Sequence, residues 1–420
     1  MGKAHTITVV LFAASLLLLA CTAAPQAPVS APIPTPTPAS EAAETPSRAE
    51  TAKTVTPPQT SNPELGNQSD PYNQSASEDA EFVFKEFTRL PFDIENVSAV
   101  SPVGGFGGSQ VRNNPRLGRP YGTERHFIWH KTPGTAYNVY APASTYIVSV
   151  RKSSGIGDYG LDFRMYGESQ FRLDHIHTLD PELKSKIDAQ LGGWEETSPF
   201  ISLPVPIPVR AGDILGQTGI KDNSVNWDWL VEDHTQHEGV TYPEHYWSPV
   251  FAYSRSVYEL CTEEVKRQLE TLAGYPNQPQ KGLPILGQFG SDVAGTLSGT
   301  WFNSYTNDPE WGPRIAVFRP YFLDSGQIEI KLAIPELDLY GVWVISPEKS
   351  GYQPNPRQVT ADSGIAYYLL EPANSSEQGE YGLLMAQVTA DGSIRLETHR
   401  DSFNPEEYPA FSGNELTLTR

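Results

Sequence analysis

The chain of 420 residues carries 50 acidic against 30 basic side chains, a formal net charge of −20. That balance excludes a nucleic-acid binder, because phosphate recognition needs clustered Lys and Arg, and no basic run here exceeds pairs such as Lys266-Arg267. Two cysteines cannot make a disulfide framework, whereas 8 Trp, 20 Tyr and 17 Phe supply bulk enough for two cores.

Residues 1–20 hold Lys3 and then an apolar run from Ile7 to Ala20, interrupted only by Thr8 and Ser15. The run is too short to span a bilayer comfortably and fits the apolar region of a secretory signal peptide. Its end, Leu18-Leu19-Ala20-Cys21, resembles the lipobox of bacterial lipoproteins. The resemblance implies that Cys21 is the mature, lipidated N-terminus. The product would then be extracytoplasmic and held on the bacterial cell membrane by its acyl chains. Residues 21–80 are rich in Pro, Ala, Thr and Ser, with alternating prolines from Pro32 to Pro38. Too little apolar surface is present there to offset ordering, so the stretch reads as an extended tether.

From residue 81 the pattern becomes β. Period-two runs occur at Tyr137–Tyr140, Tyr146–Val150, Leu161–Tyr166 and Phe171–Leu173, bounded by Gly, Pro and Ser. One helix is expected over 262–273, with Thr262 as cap, Glu263 and Glu264 in the first turn, and Gly274 beyond its end. Cys261 beside it reads as a small buried hydrophobe. After the breaker Pro276-Asn277-Gln278-Pro279, a second region over 283–420 shows short strand patterns at 299–302, 328–332, 341–345, 366–370, 383–388 and 394–396. Turn signals between them suggest a small antiparallel barrel or sandwich.

Two phrases in the first region carry a second resemblance. Val139-Tyr140-Ala141-Pro142-Ala143, followed by Ile147-Val148-Ser149-Val150, is similar to the "V-x-A-P-x-x-G-x-V" hairpin, and Val209-Arg210-Ala211-Gly212-Asp213-Ile214-Leu215-Gly216-Gln217-Thr218-Gly219 to the "V-x-x-G-D-x-I-G-x-x-G" turn. Gly212 suits a tight turn and Gly216 a close approach of backbones. The pair resembles the lysostaphin-type zinc peptidases of peptidoglycan and, more weakly, lipoyl and biotinyl carrier domains. Lys152 and Lys221 lack the sequence context of a carrier lysine, which sets the carriers aside. The peptidase resemblance covers roughly residues 120–252 and implies a mainly β chain. A central β-sandwich/barrel-hybrid domain (81–275) would be followed by a small antiparallel β domain (283–420), with one short helix between them.

The same resemblance implies a zinc site. In that family a His and an Asp four residues apart precede the first hairpin, a "H-x-H" strand follows the turn, and a further His assists the metal-bound water. Zinc lowers the pKa of that water towards neutrality. Here His126 and His130 keep the spacing of four, with His130 where the Asp belongs. His175 or His177 matches the assisting His. Asn226-Trp227-Asp228-Trp229 replaces the "H-x-H" strand, leaving Asp228 as its only ligand type. The implied set is therefore His126, His130 and Asp228 for metal, and His175 and His177 for proton transfer. On the residues alone, His126 and His130 are equally a hydrogen-bonded pair, His175 and His177 equally caps of the turn into Thr178, and Asp228 equally a loop anchor. Two changed ligand types point to a catalytically degenerate peptidase fold kept for peptidoglycan binding or wall scaffolding. The alternatives are an active zinc endopeptidase cutting peptidoglycan and a ligand site in the C-terminal region lined by Trp301, Trp311, Tyr321 and Trp343.

Overall fold

Alternating side chains in the first region turn one face of each strand inward, and a single large sheet results. The computed structural model describes residues 80–420 except 105–122, 154–156, 193–199, 221–225, 238, 247–248, 304–314, 325, 335–336, 338, 347–352, 371–381, 401 and 403. The signal segment, Cys21 and the tether up to residue 79 lie outside the described residues. In chain order the strands are β1 (Val97–Val100), β2 (His126–His130), β3 (Tyr137–Tyr140), β4 (Thr145–Lys152), β5 (Tyr159–Arg164), β6 (Gln170–Ile176), β7 (Thr178–Leu179), β8 (Ile201–Val209), β9 (Ile214–Thr218) and β10 (Asn226–Glu232). Seven of them form an antiparallel sheet in the order β1-β2-β10-β6-β5-β4-β8, and a smaller sheet runs β3-β9-β7. Leu161, Phe163, Phe171, Leu173, Trp227 and Trp229 all belong to one buried core cluster.

The two phrases singled out in the sequence pair with each other, and the strands that extend from them pair as well. β3 lies against β9, from Tyr137 opposite Thr218 to Tyr140 opposite Ile214, and β4 lies against β8. Gly212 sits at φ +99°, and a Cβ on Gly216 would collide with the Thr178 carbonyl, so both glycines are there for the reasons their spacing suggests.

The chain is mainly β, but its described residues hold three α-helices where one is expected: α1 (Pro181–Leu191), α2 (Pro249–Ala252) and α3 (Glu263–Glu270). In α1, Asp180 accepts from the Glu182 and Leu183 amides, Pro181 opens the first turn, and Leu183 and Ile187 are its buried stripe. An Asp-Pro start followed by a stripe of only two apolar residues is a weak periodic pattern, which is why the sequence alone does not mark this helix. The expected helix is shorter than 262–273; Thr262 caps it and the α-helix stops at Glu270. Cys261 is buried, its thiol donating to the Val257 carbonyl at 3.2 Å, and burial pushes the thiol pKa up.

At the edge of the large sheet β8 carries Pro204, Pro206 and Pro208 and bulges away from β4 between Ser202 and Ile207. The side-chain amide of Gln190, from α1, accepts from the Val205 N–H and donates to the Val205 carbonyl, both at 2.9 Å.

A short hairpin of β11 (Gly274–Tyr275) and β12 (Gln278–Pro279) leads to the second region. There β13 (Gly299–Phe302), β14 (Ile315–Pro320), β15 (Ile328–Ile334) and β16 (Leu339–Ile345) form one antiparallel meander, and β17 (Ala366–Leu370), β18 (Gly382–Val388), β19 (Ile394–His399) and β20 (Leu416–Leu418) another. The two sheets share one core and close no barrel among the described residues. Trp301 and Trp343 are 1% and 3% exposed members of that core, so they do not line a ligand site; Trp311 lies outside the described residues.

Residues 74–420 form one compact unit. A third apolar cluster, including Val103, Phe251, Phe289, Phe302 and Val317, joins the two regions. Beside it Arg319, Glu329 and Lys331 are all at most 2% exposed. Arg319 Nε lies 2.6 Å and Lys331 Nζ 3.4 Å from the Glu329 carboxylate, and both cations also donate to the Gly104 carbonyl of the first region. Burial alone would raise the Glu329 pKa, but the two cations outweigh it and hold the carboxyl ionised. Glu329→Gln would deprive two buried cations of their shared carboxylate. Denaturant unfolding of this variant is expected to show a loss of about 3–5 kcal/mol; a loss below about 1 kcal/mol would show that the triad does not hold the seam.

Candidate functional site

The pleat decides which side chains meet. On β10, Trp227 and Trp229 point into the core and Asp228 points to the opposite face of the sheet. Asp228 stands directly opposite Asp174 of β6 and opposite Phe127 of β2. His126 and His130 have the other parity on β2, alongside the core residue Ile128. The implied metal set is thus divided between two faces.

His126 is fully buried, with Nδ1 2.7 Å from the Ser101 carbonyl and Nε2 accepting from the Val257 N–H at 3.1 Å. Both ring nitrogens are spent on backbone groups, so His126 ties β2 to its neighbours and is not a ligand. His130 stacks on Tyr137 with ring centroids 4.8 Å apart, and neither of its buried nitrogens has a hydrogen-bond partner among the described residues. His177 is its electrostatic neighbour and accepts from the Ile220 N–H at 3.1 Å. His175 and His177, one residue apart, would share one face of a regular strand. They part instead, because His175 takes a left-handed conformation at φ +64° and the chain passes from β6 to β7 just beyond it.

That turn delivers the His175 ring to the Asp228 side. Its Nδ1 lies 2.5 Å from Asp158 Oδ2 and its Nε2 3.4 Å from Asp228 Oδ2. Arg125 Nη1 approaches Asp228 Oδ2 at 2.5 Å and also pairs with Glu124, while Arg151 Nη2 spans both oxygens of Asp174 at 2.7 and 2.5 Å. Burial alone would lower the His175 pKa, but Asp158, Asp228 and Asp174 outweigh it and raise it to about 10. For Asp228 burial works upwards, and Arg125 with His175 overcomes it and keeps the carboxyl below its ordinary range. Next along the sheet, Arg172 pairs with Asp162 at 2.6 Å and its guanidinium lies 3.9 Å from the Phe200 ring centre. Sequence reasoning missed Asp158, Arg125 and Arg151, since no motif spacing marks them; only the fold brings them to Asp174 and Asp228.

Asp174, His175 and Asp228 place one ligand-type atom each within 4.8 Å of one another. Zinc nevertheless does not fit this set as built. A cation needs free carboxylate lone pairs and a neutral imidazole. Here guanidinium groups engage both carboxylates, and an imidazolium has no lone pair to give.

His126 and His130 set an acid limit on the fold. Burial lowers both to about 4, opposed at His126 by the Ser101 carbonyl and reinforced at His130 by His177. The unfolded chain takes up these protons near pH 6.5, the folded one only near 4. Stability is therefore complete above 6.5 and falls by about 3 kcal/mol per group as pH drops to 4. His130→Phe keeps the stack on Tyr137 and needs no partner. Its unfolding free energy is expected to match or exceed the parent's at pH 7 and to fall less steeply between pH 6.5 and 4. A variant several kcal/mol weaker at pH 7 would show that the ring nitrogens do matter.

No family model matches this chain, and no curated protein matches it. Among solved structures, the NMR solution structure of lysostaphin aligns at 14% identity over 77% of this chain and 91% of that chain, with a TM-score of 0.22. A likeness that loose carries no argument about this protein's activity.

Proposed function

We propose that this chain is a lipid-anchored cell-envelope protein. Its central β domain keeps a peptidase-like hairpin frame without metal hydrolysis and binds peptidoglycan or scaffolds the wall. The mutual pairing of the Val139 and Val209 phrases supports the frame. The observation that carries the loss of hydrolysis is the ion-pair lock: Arg125 and Arg151 neutralise Asp228 and Asp174, and His175 holds a proton between Asp158 and Asp228. Such a network offers neither a metal-activated water nor a neutral general base at pH 7. The terminal Leu18-Leu19-Ala20-Cys21 supports the anchor.

Two measurements test the reading. Calorimetric titration with zinc is expected to give no binding heat, and muropeptide analysis of walls incubated with the protein no new products, while purified peptidoglycan retains the protein in a sedimentation assay. Wall digestion that requires zinc and is abolished by Asp228→Ala in a variant that still folds would overturn it in favour of an active zinc peptidase. For the anchor, a fatty-acid probe fed to expressing cells should label the protein, and Cys21→Ala should erase the label; normal labelling of that variant would refute lipidation at Cys21.

A further inference from the structure

The segment that carries the tether into the folded body is built unlike the strands it leads to. Along residues 80–92 the side chains of Phe82, Phe84, Phe87, Leu90 and Phe92 are buried, and Phe87 is 0% exposed. Phe87 packs on Phe171 of β6 and on Trp229 of β10, each ring centroid 5.0 Å away, and Phe92 meets the Trp227 ring edge-on at 6.2 Å. The arm thus lies on the core face of the large sheet. No ladder holds it there: an isolated bridge between Phe87 and Cys261 is its β pairing among the described residues. Its backbone bonds are scattered. The Phe87 N–H donates to the Leu260 carbonyl at 2.8 Å and the Thr88 N–H to the Pro142 carbonyl at 3.0 Å, while the Pro91 carbonyl accepts from the Tyr140 N–H at 3.0 Å. Nearest the tether, Glu81 pairs with Arg210 at 2.7 Å, both side chains exposed, a contact that adds little.

Two properties of that construction matter under load. Dispersion contacts are strong when seated but lose much of their attraction over about 1 Å, so packed rings let go after a small displacement. Bonds met one after another from residue 80 inward are loaded singly, whereas the ladder of β6 and β10 spreads a load over several residue pairs. We propose that residues 80–92 form a tension latch: a pull on the tether draws the arm out of the core while the seven-stranded sheet stays paired. The released arm lengthens the tether and bares Phe171, Trp227 and Trp229, an order-to-disorder change confined to one segment. When the pull ceases, the same rings draw the arm back. The latch takes its purpose from the proposed anchor at Cys21, on which this inference rests.

The test is a force-clamp experiment on the full chain, made without lipid and held between Cys21 and Arg420. Residues 80–92 reach about 45 Å when fully extended, so the expected record is a reversible first step no longer than that, followed by a far longer rupture. Phe87→Ala is expected to speed the first step at least about tenfold at a given force. It leaves the later rupture unchanged, because residue 87 has by then left the core. The exposed substitution Lys85→Ala changes neither step. A parent chain that ruptures in one event overturns the latch, as does a first step that Phe87→Ala fails to speed or that Lys85→Ala speeds equally. Lipid labelling at Cys21 is scored separately. Its failure removes the anchor and leaves the step standing, whereas a labelled protein without the step fails the latch alone.

Discussion

Two carboxylates placed directly across from each other on neighbouring strands are what the outer face of the large sheet must solve. Asp174 and Asp228 occupy opposed positions and are 2% and 3% exposed. Side chains so paired lie about 5 Å apart. At that separation two like charges repel by about 3 kcal/mol in a partly screened interior, a sizeable share of a domain's whole stability. Arg151, Arg125 and the left-handed His175 are the answer, one from β4, one from the chain just before β2 and one from the end of β6. Each ties a different part of the chain to the same pair. The network that engages both carboxylates is thus also what lets β6 and β10 pair at this position.

Of the implied site residues, the sequence could place the neighbourhood but neither the faces nor the partners. His126, His130, His175, His177 and Asp228 do cluster around β2, β6 and β10, as the hairpin phrases imply. What spacing along the chain could not reveal is parity between strands: Asp228 pairs across from Phe127, one residue away from His126, and one residue reverses the face. Nor could it reveal that the Ser101 carbonyl and the Val257 amide, neither in any motif, would claim both nitrogens of His126. The arginines were unreadable for a further reason. An isolated Arg before a strand is usually a solvated charge, and only burial of its partner changes that.

The fold was more open to reading. The strands that alternate cleanly were visible from their pattern, and the glycines at 212 and 216 were readable from their steric demands. β14 was not, because Ile315-Ala316-Val317-Phe318 is buried on both faces and carries no period-two signal. Helix α1 was lost to the opposite ambiguity, an Asp-Pro start that serves a turn as well as a helix.

The edge strand β8 has a consequence of its own. A sheet margin with open N–H and C=O groups invites another chain to add on. Three prolines withdraw donors from this margin, a bulge bends it, and the Gln190 amide satisfies both backbone groups of Val205 as a neighbouring strand would. At the other margin, the β1 amide of Val100 donates to the Leu272 carbonyl. Wherever copies of a chain meet at high local density, an unguarded margin would seed lateral polymerisation. This sheet carries its own stoppers at both ends.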